Sequence, residues 1–188
     1  MSHAALTRRL LAAAAALALT FTWLAAREPL PHHAASDLYT HLSVARHLIQ
    51  GDGFVNDMVY PLSLSFPFAA HVPQPLVHRP PGYPLLMTLP VAFAGGDPAR
   101  AEAMAGHLSL LFLALIAWCG AAHAVGRGRG DVVLPWLAVL LVNPLLQMTV
   151  GWAQVEIPTA LLLLWLWTRL RAAAQGSAGT PAARAAAA

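Results

Sequence analysis

Three polar motifs interrupt an otherwise apolar sequence, and they contain residue types that transfer protons or bind phosphate. They are Asp37-Leu38-Tyr39, Gly51-Asp52-Gly53-Phe54 and His78-Arg79-Pro80-Pro81-Gly82-Tyr83-Pro84. A carboxylate such as Asp37 can accept a proton from a substrate hydroxyl. An arginine such as Arg79 can bind a phosphate through two parallel hydrogen bonds. Charged groups near hydrocarbon are costly, so these motifs predict a site rather than packing.

Asp37 is predicted to lie in the first turn of a short amphipathic helix at the membrane surface. Apolar residues recur at helical spacing, and Gly51 can end the helix. The helix dipole favours the negative charge of Asp37, and His41, four residues further on, shares its face. Asp37 is therefore either a general base or only a helix-start residue at the water boundary.

Two further groups extend the candidate site. Arg79 precedes an apolar segment, where it either binds a phosphate or anchors the chain at the membrane interface. Glu156 begins the last apolar segment, and it is either a second carboxylate facing Asp37 or a solvated acid at a helix start. Six of the nine histidines lie between residues 32 and 78, but their spacing does not match a zinc site; they are His32, His33, His41, His47, His71 and His78.

The composition indicates a membrane protein. Of 188 residues, 58% are hydrophobic and 10% charged, and the mean hydropathy is +0.59, whereas ordinary soluble domains carry about 25% charged residues. The eleven basic residues are all arginines. They are scattered, which argues against a nucleic-acid partner. The single Cys119 excludes an internal disulfide.

The apolar segments predict an all-α membrane protein with about four transmembrane helices. The predicted spans are Leu10–Ala26, Leu108–Val125, Val132–Val150, in which Pro135 and Pro144 cause a bend or mark the ends, and Ile157–Leu170. Gly82–Ala94 reaches roughly 20 Å, too short for a core of about 30 Å, and is predicted to lie at the interface or to dip into the membrane from one side. This arrangement puts Arg8-Arg9, Arg127/Arg129 and Arg169/Arg171 on the cytoplasmic side.

The spans divide the chain into four predicted regions. Residues 1–26 are the N-terminus and first span, or alternatively a cleaved signal peptide. Residues 27–107 form an extracytoplasmic loop with interfacial helices and the candidate active site. Residues 108–171 contain three further spans, and the alanine-rich residues 172–188 are predicted to be disordered. We expect a multi-pass protein of the bacterial cytoplasmic (inner) membrane.

The three motifs, in this order and spacing, resemble the polytopic GT-C glycosyltransferases over residues 10–170. The closest resemblance is to the family of protein O-mannosyltransferases and lipid A aminoarabinose transferases. It implies sugar transfer on the outer face from a polyprenyl-phosphate donor, without a cofactor or metal, with Asp37 as the catalytic base. It further implies donor and acceptor binding by Arg79, its neighbours His78 and Tyr83, and Glu156. His41 is added to this binding set because it shares the helix face of Asp37.

The chain departs from that family in two respects. Leu38 follows Asp37 where the family often has a glutamate, and the family has many more spans. We therefore expect this chain to correspond to the N-terminal portion of such an enzyme, acting with a second subunit or a C-terminal portion. The alternative is a non-catalytic small membrane protein or truncated remnant that binds lipid or a partner subunit through the outer loop.

Overall fold

The computed structural model describes Ala15 and residues 36–59, 64–76, 79–151 and 153–178. This part of the chain is mostly helical, which confirms the predicted helical class. Its α-helices are α1 (Ser36–Gln50), α2 (Gly82–Ala94), α3 (Pro98–Gly126), α4 (Val133–Val142), α5 (Pro144–Gly151) and α6 (Glu156–Ala178). The predicted first span, Leu10–Ala26, lies outside the described residues apart from Ala15, as do His32, His33 and His78.

A short antiparallel pair of strands lies in the predicted outer loop. Strands β1 (Val55–Asn56) and β2 (Gln74–Pro75) place Val55 opposite Pro75 and Asn56 opposite Gln74. Both strands are edges, which is where a proline is tolerated. Asn56 and Gln74 are buried, and the Asn56 amide donates to the Gln74 carbonyl over 3.4 Å. A buried side chain therefore joins the two strands in addition to their backbone pairing.

The chain forms two compact units. One unit contains most of the predicted outer loop and is named the outer-loop unit; it comprises Pro29–Leu111 and Met148–Val155. The other is named the helical unit and comprises Met1–Glu28, Phe112–Gln147 and Glu156–Ala188. The core of the outer-loop unit joins residues of α1, α2 and the first half of α3 to Ala153, namely Leu38, Ala45, Tyr83, Met87, Ala105 and Ala153. Burying these side chains holds α1 against α2.

Helices α1 and α2 have the bounds that the sequence predicts. After α1, Gly51 adopts a left-handed conformation with φ 89°. The Asp52 amide then donates to the His47 carbonyl over 2.9 Å, as at a glycine-terminated helix end. Helix α2 has 13 residues, so at roughly 20 Å it is shorter than the hydrocarbon core.

Within the described residues, one helix is long and apolar enough to cross a membrane. This is α3, with 29 residues; α4 and α5 provide a second candidate if the bent pair counts as one span. The break falls at Asn143, whose side-chain oxygen accepts hydrogen bonds from the amides of Leu145 (3.0 Å) and Leu146 (3.4 Å). Pro144 begins α5, so the predicted effect of this proline on the segment is confirmed.

Helix α6 is longer than predicted. It continues to Ala178, so the prediction that the chain is disordered from Ala172 onward is wrong for residues 172–178. Alanine has the highest helix propensity of all residues, and an alanine-rich sequence directly after a helix extends it. Residues 179–188 lie outside the described part of the chain.

Candidate active site

The structure joins Asp37 and Arg79, which are 42 positions apart in the sequence. Asp37 lies in the first turn of α1 and Arg79 in the turn before α2. The Arg79 Nη2 atom donates a hydrogen bond to Asp37 Oδ1. The Asp37 side chain is 40% exposed and that of Arg79 25% exposed. A carboxylate and a guanidinium therefore share one partly accessible position.

One helical turn further along both elements, His41 packs against Tyr83. Their rings meet edge to face, with centroids 4.8 Å apart and an angle of 89° between the planes. Both residues are buried. The Tyr83 hydroxyl donates to the carbonyl oxygen of Ala153. Because residues four apart share a helix face, this buried pair fixes the register in which α1 presents Asp37 to Arg79.

We expect Tyr83→Phe to destabilise the outer-loop unit by about 1–3 kcal/mol, because it leaves a buried carbonyl without its hydrogen bond. Thermal unfolding of the purified chain in detergent measures the effect. Tyr39→Phe is the matched control, since Tyr39 is 44% exposed. Equal effects of the two substitutions would show that the bond to Ala153 does not stabilise the unit.

A carboxylate that the sequence did not single out lies beside the Asp37-Leu38-Tyr39 motif. The Tyr39 hydroxyl donates to Glu102 Oε2 over 3.4 Å. Partial burial, together with the charge and hydrogen bond of Glu102, raises the pKa of Tyr39. The phenol therefore stays protonated at neutral pH and acts as a donor. Glu102 is 63 positions away in the sequence, which no local pattern could have connected to Tyr39.

Two predicted site residues are not tested by the structure. His78 lies outside the described residues. Glu156 is exposed at the start of α6, in the helical unit, whereas Asp37 belongs to the outer-loop unit. The proposed facing of Asp37 and Glu156 therefore stays a prediction.

Comparison of the chain with protein-family models, with curated proteins and with solved structures gave no match. Of the six residues that the sequence assigns to the site, four lie together: Asp37, Arg79, His41 and Tyr83.

A second polar cluster closes the turn after α1. His47 is buried; its Nδ1 lies 2.9 Å from Asp52 Oδ2 and its Nε2 lies 3.0 Å from Asp57 Oδ1. Asp57 also accepts hydrogen bonds from Arg46 and, over 3.1 Å, from the Ser43 hydroxyl. The sequence places Asp52 in one of the three polar motifs, but no local pattern connects Asp52 to Asp57. The sequence feature that indicates this cluster is the placement of His47 and Asp52 on either side of Gly51.

The cluster favours a charged imidazole between two carboxylates. The hydrogen bond to Asp52 raises the pKa of His47; burial opposes this, and Asp57 reinforces it. Burial raises the pKa of Asp57, but hydrogen bonds from His47 and Ser43 and the charges of His47 and Arg46 outweigh it, so the pKa is lowered. Among the described residues, no group of three potential ligands is arranged to hold a metal ion.

This cluster should make the stability of the outer-loop unit depend on pH. Because the pKa of His47 is higher in the folded chain than its ordinary value of 6.5, protonated His47 stabilises the fold below about pH 6.5. This stabilisation is lost as the pH rises through the pKa of His47 in the folded chain. Because the pKa of Asp57 is lower in the folded chain than its ordinary value of 3.8, ionised Asp57 stabilises the fold above about pH 3.8. This stabilisation is lost as the pH falls through the pKa of Asp57 in the folded chain. The contribution is therefore largest at mildly acidic pH.

Unfolding measured at about pH 5.5 and about pH 8.5 tests this, since the two values lie on either side of the histidine range. We expect His47→Gln to abolish most of the wild-type stability difference between the two pH values. His71→Gln, at an exposed position, serves as control. An unchanged pH dependence in His47→Gln would contradict the assignment.

Proposed function

We propose that this chain is a membrane glycosyltransferase, or the N-terminal part of one. It transfers a sugar from a polyprenyl-phosphate donor to an acceptor on the outer face of the membrane. The observation that supports this is the ion pair between Asp37 and Arg79. It unites the two groups that such a reaction requires, a base for the acceptor and a cation for the donor phosphate.

In the proposed reaction Asp37 removes the proton from the acceptor hydroxyl. The acceptor oxygen forms a bond to the anomeric carbon as the bond from that carbon to the phosphate oxygen breaks. The polyprenyl phosphate leaves with the bonding electrons, and its negative charge is stabilised by Arg79. A guanidinium has five N–H donors, enough to contact a carboxylate and a phosphate at once.

The apolar surface of α2 supports a position at the membrane interface. Leu85, Leu89 and Phe93 are 51%, 50% and 74% exposed. They are spaced four residues apart and form one stripe along the helix. An apolar stripe of this kind is typical of a helix lying in the plane of the interface. The four-span topology with the outer loop outside the cell belongs to this proposal.

The proposal is tested by transfer of labelled sugar from polyprenyl-phosphate donors in membranes that contain the full chain. We expect Arg79→Gln to raise the KM for the donor about 10- to 100-fold, since a hydrogen bond to a charged group contributes about 1.5–3 kcal/mol. Arg100→Gln, an exposed arginine at the start of α3, should behave as wild type. An unchanged KM in Arg79→Gln would contradict the role of Arg79.

The second candidate is a non-catalytic membrane protein that binds lipid or a partner subunit. The exposed stripe on α2 favours it equally, because such a surface binds a membrane without any reaction. The two candidates differ in turnover. If the wild-type chain inserts into membranes but transfers no sugar, the non-catalytic candidate is favoured.

A further inference from the structure

The helical unit contains a cavity of about 490 Å³. Its walls come from three helices: Gly120 and His123 of α3, Trp136 and Val139 of α4, and Leu164 and Trp167 of α6. Its volume lies within the range of about 300–1,000 Å³ that is typical of ligand sites. The walls are mainly apolar and aromatic, so the matching occupant carries hydrocarbon.

The same cavity is bordered by arginines. Arg127 and Arg129 line it, and the guanidinium of Arg171 lies over the Trp167 ring, 5.4 Å from its centroid. Asp131 pairs with Arg129 over 3.0 Å and offsets one of these charges. Among the described residues named here, three arginines accompany one carboxylate, and this excess of basic groups is complementary to an anion.

We propose that this cavity binds an anionic phospholipid of the surrounding membrane, with the acyl chain against the tryptophans and the phosphate beside the arginines. Basic pockets at the ends of membrane helices bind anionic headgroups, and tryptophan is enriched at the level of the headgroups. The site lies in the helical unit and is independent of sugar transfer at Asp37.

Two other occupants fit less well. A zwitterionic phospholipid has the same acyl chains, but its headgroup cation opposes the arginines. Inorganic phosphate matches the arginines, but it leaves the apolar walls without a partner. Of these three candidates, the anionic phospholipid is the one that matches both the apolar wall and the positive charge.

Native mass spectrometry of the full chain released from detergent micelles can measure bound lipid. The probes are phosphatidylglycerol and phosphatidylcholine with identical acyl chains, with inorganic phosphate as a competitor. We expect phosphatidylglycerol to be retained in preference to phosphatidylcholine, and Arg127→Gln to weaken its binding about fivefold. Arg100→Gln, which removes the same charge in the outer-loop unit, should leave binding unchanged.

A cavity-filling variant tests the acyl-chain contact separately. Ala124 lines the cavity, and Ala124→Leu keeps a strong helix former while reducing the space. We expect Ala124→Leu to lower phosphatidylglycerol binding although the arginines are intact. If circular dichroism shows that this variant does not fold, the proposal is tested by Arg127→Gln, which changes an exposed side chain. Equal retention of both lipids, unchanged binding in these variants, or complete displacement by inorganic phosphate would overturn the proposal.

Discussion

Asp37→Asn is expected to lower the rate of sugar transfer about 10²- to 10⁴-fold, the range over which a positioned general base contributes. An amide has nearly the same shape as the carboxylate, but it cannot accept the proton of the acceptor hydroxyl. The rate is measured as transfer of labelled sugar from a polyprenyl-phosphate donor by membranes that contain the chain.

The fold should survive this substitution. The ion pair with Arg79 is partly exposed, and such pairs contribute about 0–1 kcal/mol. Loss of a charge in the first turn of α1 costs about 0.3–1 kcal/mol through the helix dipole. Circular dichroism and membrane insertion should therefore match wild type, so that a lost rate reports on chemistry.

Asp97→Asn is the matched control for this experiment. Asp97 caps α3 through hydrogen bonds from the amides of Ala99 (2.9 Å) and Arg100 (3.3 Å). Asparagine caps a helix about as well as aspartate, so the same chemical change should leave transfer intact. Full activity in Asp37→Asn, with a normal fold, would eliminate Asp37 as the base and with it the proposed mechanism.

Gly120→Ala is expected to destabilise the helical unit by about 1–3 kcal/mol, the usual cost of overpacking. A Cβ atom built on Gly120 overlaps the indole ring of Trp136. The ring must therefore move away from α3, which also alters the cavity wall that both residues form. Thermal unfolding in detergent measures the loss of stability.

The same helix supplies the control. A Cβ atom at Gly106 meets no atom within 4 Å, so Gly106→Ala should be neutral or should stabilise α3 by up to about 1 kcal/mol through helix propensity. The two substitutions share their chemistry and differ only in what surrounds them. If both substitutions stabilise the chain, Trp136 does not pack closely against Gly120.

Local signals in the sequence predicted the elements that position the site. Helix α1 ends before a glycine, α2 follows a proline-rich turn, and the break before α5 coincides with Pro144. Each of these depends on residues within one or two turns of one another. The prediction for residues 172–178 was wrong because it considered only their alanine-rich composition. In the structure these residues continue the helix that precedes them.

Contacts across the chain were less predictable. Asp37 and Arg79 were assigned to one site, but their direct ion pair depends on how α1 packs against α2. The contact between Tyr39 and Glu102 depends on α3 in the same way. No local pattern in the sequence indicates the two carboxylates beside His47, because the geometry of the turn after α1, rather than a helical period, brings Asp57 back to this histidine.

The stripe formed by Leu85, Leu89 and Phe93 has a consequence for substrate selection. In the proposed arrangement these side chains rest on hydrocarbon, so α2 lies at a fixed depth. Arg79 stands only one turn before α2 and holds Asp37 directly, so both groups are held near the level of the lipid phosphates. The donor would then be chosen by the depth of its phosphate as well as by the shape of its sugar. Water-soluble sugar phosphates, which have no such fixed depth, would be poor donors even where their sugars fit.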